Sequence, residues 1–195
     1  MRSRSALLAT GLAMAGLLLG TPASAAVIER GHFHDTSDDL AEPDTFFCGE
    51  TEILHTFDVY VNYLAKTMPG SEFPYFQETV RGTDTYTNLD TGRTFTNVFA
   101  THNMDTSIVE NPDGETITIT GLAAGGSRFY DDTGKMVLRD PGSVTFSFVV
   151  DFNGTPSDPE DDTEVEGSGM IIRPSTGNSD FSDRDFCEDV LTFTS

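Results

Sequence analysis

The 195-residue sequence contains no tryptophan, only 2 cysteines, and only 11 lysine and arginine residues against 32 aspartates and glutamates. That scarcity of positive charge leaves a formal net charge of −21. Nucleic acid and anionic lipid surfaces are excluded as partners, because binding either depends on Lys and Arg displacing condensed counterions. Like charges also repel one another across a compact fold, so added salt is expected to raise the melting temperature. No apolar run reaches the roughly 20 residues needed to cross a bilayer, so membrane insertion is not expected. Phosphate loops, dinucleotide fingerprints and Gly-x-Ser-x-Gly elbows are missing, which removes the commonest nucleotide-binding and serine-hydrolase readings. Helical periodicity is scarce throughout.

What is present begins with an N-terminal leader. Residues 1–25 carry Arg2 and Arg4, an apolar stretch from Ala6 to Leu19, and the small-residue end Ala23-Ser24-Ala25. These read as a signal peptide, so the mature chain from Ala26 is expected to be secreted to the extracellular space. With no cysteine beside Ala25, a lipid anchor is not expected. Residues 26–45, with Glu29, His32, His34, Asp35, Asp38, Asp39 and Glu42, read as a flexible acidic arm.

Residues 46–195 read as one all-β domain. Ile53, His55, Phe57, Val59, Val61 and Tyr63 alternate with Leu54, Thr56, Asp58, Tyr60 and Asn62, the period of a half-buried strand. Further strands are expected over 75–87, 94–102, 106–110, 115–121, 127–130, 135–139, 144–152, 164–172 and 189–193. Asn88-Leu89-Asp90-Thr91-Gly92, Asn111-Pro112-Asp113-Gly114 and Asp131-Asp132-Thr133-Gly134 each end in a glycine that can take positive φ and close a hairpin. Successive hairpins predict a single-domain antiparallel up-and-down β-barrel of about eight strands, closure removing exposed edges. A two-sheet β-sandwich is the alternative.

Cys48 and Cys187 sit in similar Phe-Cys-acid surroundings, and an exported chain with two cysteines is expected to pair them, tying the first strand to the last. Asp158, Glu160, Asp161 and Asp162, with Glu164, form an acidic loop that reads first as a solvated hairpin that discourages edge pairing; weak calcium is the alternative, although the spacing fits no calcium loop. Otherwise no cofactor is expected. His32 and His34 beside Asp35 and Asp38 offer a His-x-His metal pair on the arm. On the strands, His55, Glu78, Asp84 and Asn97 share parity with apolar neighbours, which points polar groups inward and calls for partners such as a His55 to Glu78 pair.

Tyr86 to Phe95, Gly125-Gly126-Ser127-Arg128 and Arg184-Asp185-Phe186-Cys187-Glu188-Asp189 together resemble segments of exported actinobacterial all-β proteins to which no activity is assigned. The resemblance implies export and a β fold, and no site residues. In architecture the expected barrel is also similar to dirigent and allene-oxide-cyclase-like barrels, which hold apolar ligands. The expectation is therefore a monomeric, non-enzymatic binding or surface-interaction protein. It would hold a small apolar molecule in an interior lined by His55, Phe57, Phe76, Glu78, Tyr86, Phe99, Phe146 and Phe148. The alternatives are a barrel isomerase or cyclase using His55 or Glu78 as acid or base, and calcium-assisted adhesion through the acidic loop.

Overall fold

The computed structural model describes residues 26–181 and 184–195; the expected signal peptide, 1–25, lies outside them. The strands are β1 (Val27–Thr36), β2 (Asp44–Cys48), β3 (Thr51–Lys66), β4 (Tyr75–Asn88), β5 (Thr94–Glu110), β6 (Thr116–Tyr130), β7 (Met136–Asp151), β8 (Thr163–Glu164) and β9 (Met170–Arg173), followed by helix α1 (Phe186–Thr194). All lie in one antiparallel sheet ordered β1-β3-β4-β5-β6-β7-β8, with β2 on β3 and β9 on β7. The sheet curls into a half-barrel. The all-β meander is the one the hairpin signals predict, and the closing glycines Gly92, Gly114 and Gly134 have φ of 73°, 71° and 80°. A single sheet rules out the sandwich.

The strands are longer than their sequence pattern suggests, because bulges and bends interrupt the alternation without ending the pairing. The expected strands 94–102 and 106–110 form one element, β5, whose register shifts between Asp105 and Ser107. The expected break at 121–126 runs straight through β6, and that at Asp140-Pro141-Gly142 through β7. Proline lacks an N–H, and Pro141 sits where β8 and β9 do not pair, so no ladder bond is forfeited. At about 3.3 Å per residue β5 runs some 56 Å, long enough for its two ends to belong to separate cores.

Residues 26–45 are not a loose arm. Val27–Thr36 pairs along the second half of β3, from His34 opposite Tyr60 to Arg30 opposite Leu64, and Asp44–Cys48 pairs with its first half. Nearly every β1 side chain is exposed, so an edge strand of this kind leaves no inside-outside contrast for the sequence to display. The other edge is covered in part by residues 163–180: β8 and β9 pair with β7, Thr176 N–H donates to Ser143 O at 3.3 Å, and Asp180 N–H donates to Arg139 O at 2.9 Å.

Residues 189–193, expected as a strand, lie in α1. Asp185 caps it by accepting from Glu188 N–H at 2.9 Å, and Glu188 and Asp189 place negative charge in the first turn. Its end is held from the β4–β5 turn: Thr91 Oγ1 donates to the Thr194 carbonyl at 2.6 Å, and Asn88 Nδ2 donates to the Thr194 hydroxyl Oγ1 at 3.3 Å. Cys48 and Cys187 are bonded, as expected, with Cα atoms 5.1 Å apart. The bond joins β2 to the start of α1, not a first strand to a last one. It therefore clamps a helix onto one end of the half-barrel.

That end holds the larger core, in which Ile53, Phe95, Phe129, Leu138 and Val190 are buried against Phe46, Tyr86, Phe181 and Phe193. The far end holds a second core of Phe73, Ile117, Val150 and Phe152. Between them Gly82 of β4 lies opposite Val59 of β3 and Phe99 of β5. A Cβ there would stand 2.5 Å from Asp58 O and 3.0 Å from Val59 Cα. Because the obstruction is backbone, Gly82→Ala is expected to push β3 and β4 apart and cost about 1–3 kcal/mol, read as a lower urea midpoint. An unchanged midpoint would show that the strands tolerate ordinary spacing at Gly82.

Candidate functional site

The register places His55, Phe57, Glu78, Asp84, Tyr86, Asn97, Phe99, Phe146 and Phe148 on one face, as the parity of the strands predicts. They do not share one interior. His55 lies opposite Tyr86, and Glu78 stands eight positions away on β4, roughly 26 Å along the strand. The expected His55 to Glu78 pair is thus absent. Glu78 instead accepts from Asn103 Nδ2 at 2.7 Å.

His55 is the centre of a polar network that stitches four strands together. Its Nδ1 is 2.8 Å from Asp44 Oδ2 of β2 and its Nε2 is 3.3 Å from Asp84 Oδ1 of β4. Asn97 of β5 donates from Nδ2 to Asp84 Oδ2 at 3.1 Å, while its buried Oδ1 meets no donor among the described residues. A neutral imidazole can donate to one of the two carboxylates and a protonated one to both. A general base needs a ring nitrogen that reaches substrate, and here each nitrogen faces a carboxylate of the protein. The arrangement holds strands in register. A hollow of about 270 Å³ opens beside it, bordered by Asp38, Glu42 and Asp44.

The His55 ring stacks on Tyr86, with centroids 4.9 Å apart and planes 11° apart, and Phe186 meets Tyr86 edge-on at 4.9 Å. Burial, reinforced by the negative charges of Asp84 and Asp44, pushes the Tyr86 phenol up from 10.0 to about 12. The folded state thus holds this proton more tightly than the unfolded state, so stability is expected to fall as pH rises from about 10 to about 12. Phenolate absorbance during alkaline titration should show a late-ionising tyrosine that Tyr86→Phe removes. Tyr63, raised by its hydrogen bond to Glu29, accounts for whatever late ionisation remains; if the late component is undiminished in the variant, the burial of Tyr86 is not its cause.

The expected aromatic lining is dispersed. Tyr86 packs into the core beneath α1. Phe76 is exposed, with its ring 6.1 Å from that of Tyr63. Phe57 lies beside His55 at 5.7 Å, and Phe99 is opposite Gly82. Only Phe146 and Phe148 share a recess. Their rings stack 6.1 Å apart and, with Ser147, Glu164, Met170 and Ile171, they line a pocket of about 380 Å³ where β9 meets β7. Met170 is 61% exposed and Ile171 62%. The Met-Ile-Ile run at 170–172 was the available sequence signal, hidden by reading 164–172 as one ordinary strand.

The carboxylates expected to gather for calcium do not converge: among the described residues no three His, Cys, Asp or Glu groups are placed to hold a metal ion. Thr155 Oγ1 donates to both Asp161 oxygens at 2.8 Å, and Asp158 Oδ1 accepts from Glu160 N–H at 3.2 Å, so the loop satisfies itself. Burial, with Asp161, Asp158 and Asp151 nearby, holds Asp162 above the usual carboxylate range. In the His-x-His pair, His34 Nε2 bonds Asp58 Oδ1 at 2.9 Å and its ring stacks on Tyr60.

Comparison with protein-family models, with curated proteins and with solved structures finds no match to this chain.

Proposed function

We propose that the chain is an exported, monomeric, non-enzymatic binding protein that holds a small apolar molecule in the recess between β7 and β9. One observation carries the reading: Phe146 and Phe148 line the pocket together with Met170 and Ile171, and the latter two are each more than half exposed. Large apolar side chains left in water around a concavity are the ordinary signature of a ligand or partner site. Export is supported by the signal-like residues 1–25 and by the Cys48–Cys187 bond, which persists in oxidising compartments. Among the described residues no helix is long and apolar enough to cross a membrane.

Fluorescence titration with the uncharged apolar dye Nile red tests the reading. The protein is expected to enhance its emission saturably, and Met170→Ser combined with Ile171→Ser to weaken binding about tenfold or more, equivalent to roughly 1.4 kcal/mol. Both positions are exposed, so the circular dichroism spectrum should stay unchanged. Equal enhancement by the variant, or none by either protein, would refute the pocket.

A further inference from the structure

Positive side chains are scarce in this chain, yet two of them stand directly opposite one another: Arg128 of β6 faces Arg139 of β7, and Val98 of β5 faces Arg128 from the other side. Like charges at facing positions are unfavourable, and with 32 acids available an ion pair would be the expected neighbour. Among the described residues Arg128 makes no ion pair. Arg139 has Asp180, whose Oδ2 lies 4.0 Å from its Nε and accepts its backbone N–H at 3.0 Å. Both arginines border a hollow of about 390 Å³ whose remaining surface includes Val98, Ala100, Gly126 and Pro141. At Gly126 the strands approach closely, since a Cβ there would lie 2.9 Å from Pro141 Cα and 3.0 Å from Asp140 O.

We propose that this hollow binds a small monocarboxylate with an apolar body. Guanidinium forks match a carboxylate geometrically and can grip it from two sides. Val98, Ala100 and Pro141 supply apolar surface for the rest of the molecule. The overall charge of −21 selects against polyanions, since every further negative charge on the ligand adds long-range repulsion without a further cation to meet it. By strand parity Arg128 and Arg139 lie on the face opposite to Phe146 and Phe148, so the site is separate from the β7–β9 recess and stands on its own observation.

Amide chemical shifts during titration with benzoate, its neutral analogue benzamide, and inorganic phosphate test the assignment. Benzoate is expected to shift the Gly126 and Arg128 amides saturably, with benzamide and phosphate at least about tenfold weaker. Arg128→Gln and Arg139→Gln should each weaken benzoate binding by about tenfold. Val98→Glu, at an exposed position, should place a carboxylate beside Arg128, abolish benzoate binding and raise the melting temperature. Undiminished benzoate binding in the arginine variants or in Val98→Glu would overturn the proposal. So would equal binding of benzamide or phosphate.

Discussion

Replacing Cys48 and Cys187 together by alanine, or reducing the bond between them, is expected to lower the unfolding free energy by about 2–5 kcal/mol. The bond closes a loop with a sequence separation of 139, so its loss releases a large part of the unfolded chain from constraint. It also frees the N-terminal end of α1. The helix has nine residues, below the length at which an isolated helix persists in water, so it depends on docking. Denaturant titration with and without reductant should show the change in midpoint. Hydrogen exchange should show its place: amides from Val190 to Thr194 lose protection ahead of those in β6. An unchanged midpoint, or uniform loss of protection along the sheet, would mean that the bond does not act as a clamp on the helix.

Phe95→Ala should cost about 3–5 kcal/mol, the range for deleting a buried aromatic ring. Phe95 has no exposed surface and stacks on Phe129 at 5.2 Å and on Phe193 of α1 at 5.3 Å, so its ring joins the sheet to the helix. The cavity cannot be closed by movement of α1 alone, because the disulfide and the bonds from Thr91 and Asn88 hold both of its ends. Urea unfolding provides the measurement. A loss below about 1 kcal/mol would place the helix elsewhere, since such small values belong to surface substitutions. Phe193→Ala provides the reciprocal comparison, and the double variant should show coupling, as residues in contact do.

The parts of the fold legible in sequence were those with a local cause. Period-two alternation marked β3, and glycines at the ends of Asn88–Gly92, Asn111–Gly114 and Asp131–Gly134 marked three hairpins. Two cysteines in an export context gave the disulfide. What was hidden depended on partners. β1 is exposed on both faces and exists because β3 has a free edge to offer. The glycines of β6 and Pro141 of β7 resemble turn residues, yet pairing continues through them without a break. The α1 helix did leave a signal, Asp185 followed three residues later by Glu188, which is an N-terminal capping pattern overridden by the apolar run behind it.

The candidate sites divide along the same line. Parity placed His55, Glu78, Asp84 and Asn97 on one face, but parity says nothing about position along strands of 14 to 17 residues. Residues sharing a face therefore ended in separate neighbourhoods. Arg128 and Arg139 were only partly within reach of the sequence, since uniform counting outward from the Asp131–Gly134 turn sets Arg128 opposite Leu138, and the register shift between Phe129 and Tyr130 is what sets it opposite Arg139. The β7–β9 recess was out of reach, because it requires residues 165–169 to loop out and return Met170 beside Ser147.

Native mass spectrometry of the protein collected from the medium of an exporting cell tests the central claim most directly. A single chain lacking residues 1–25, lighter by the two hydrogens of a disulfide and carrying one small apolar molecule that Met170→Ser with Ile171→Ser releases, is the predicted result. A chain that stays with the cells, or an exported chain whose mass is that of the polypeptide alone, would contradict it.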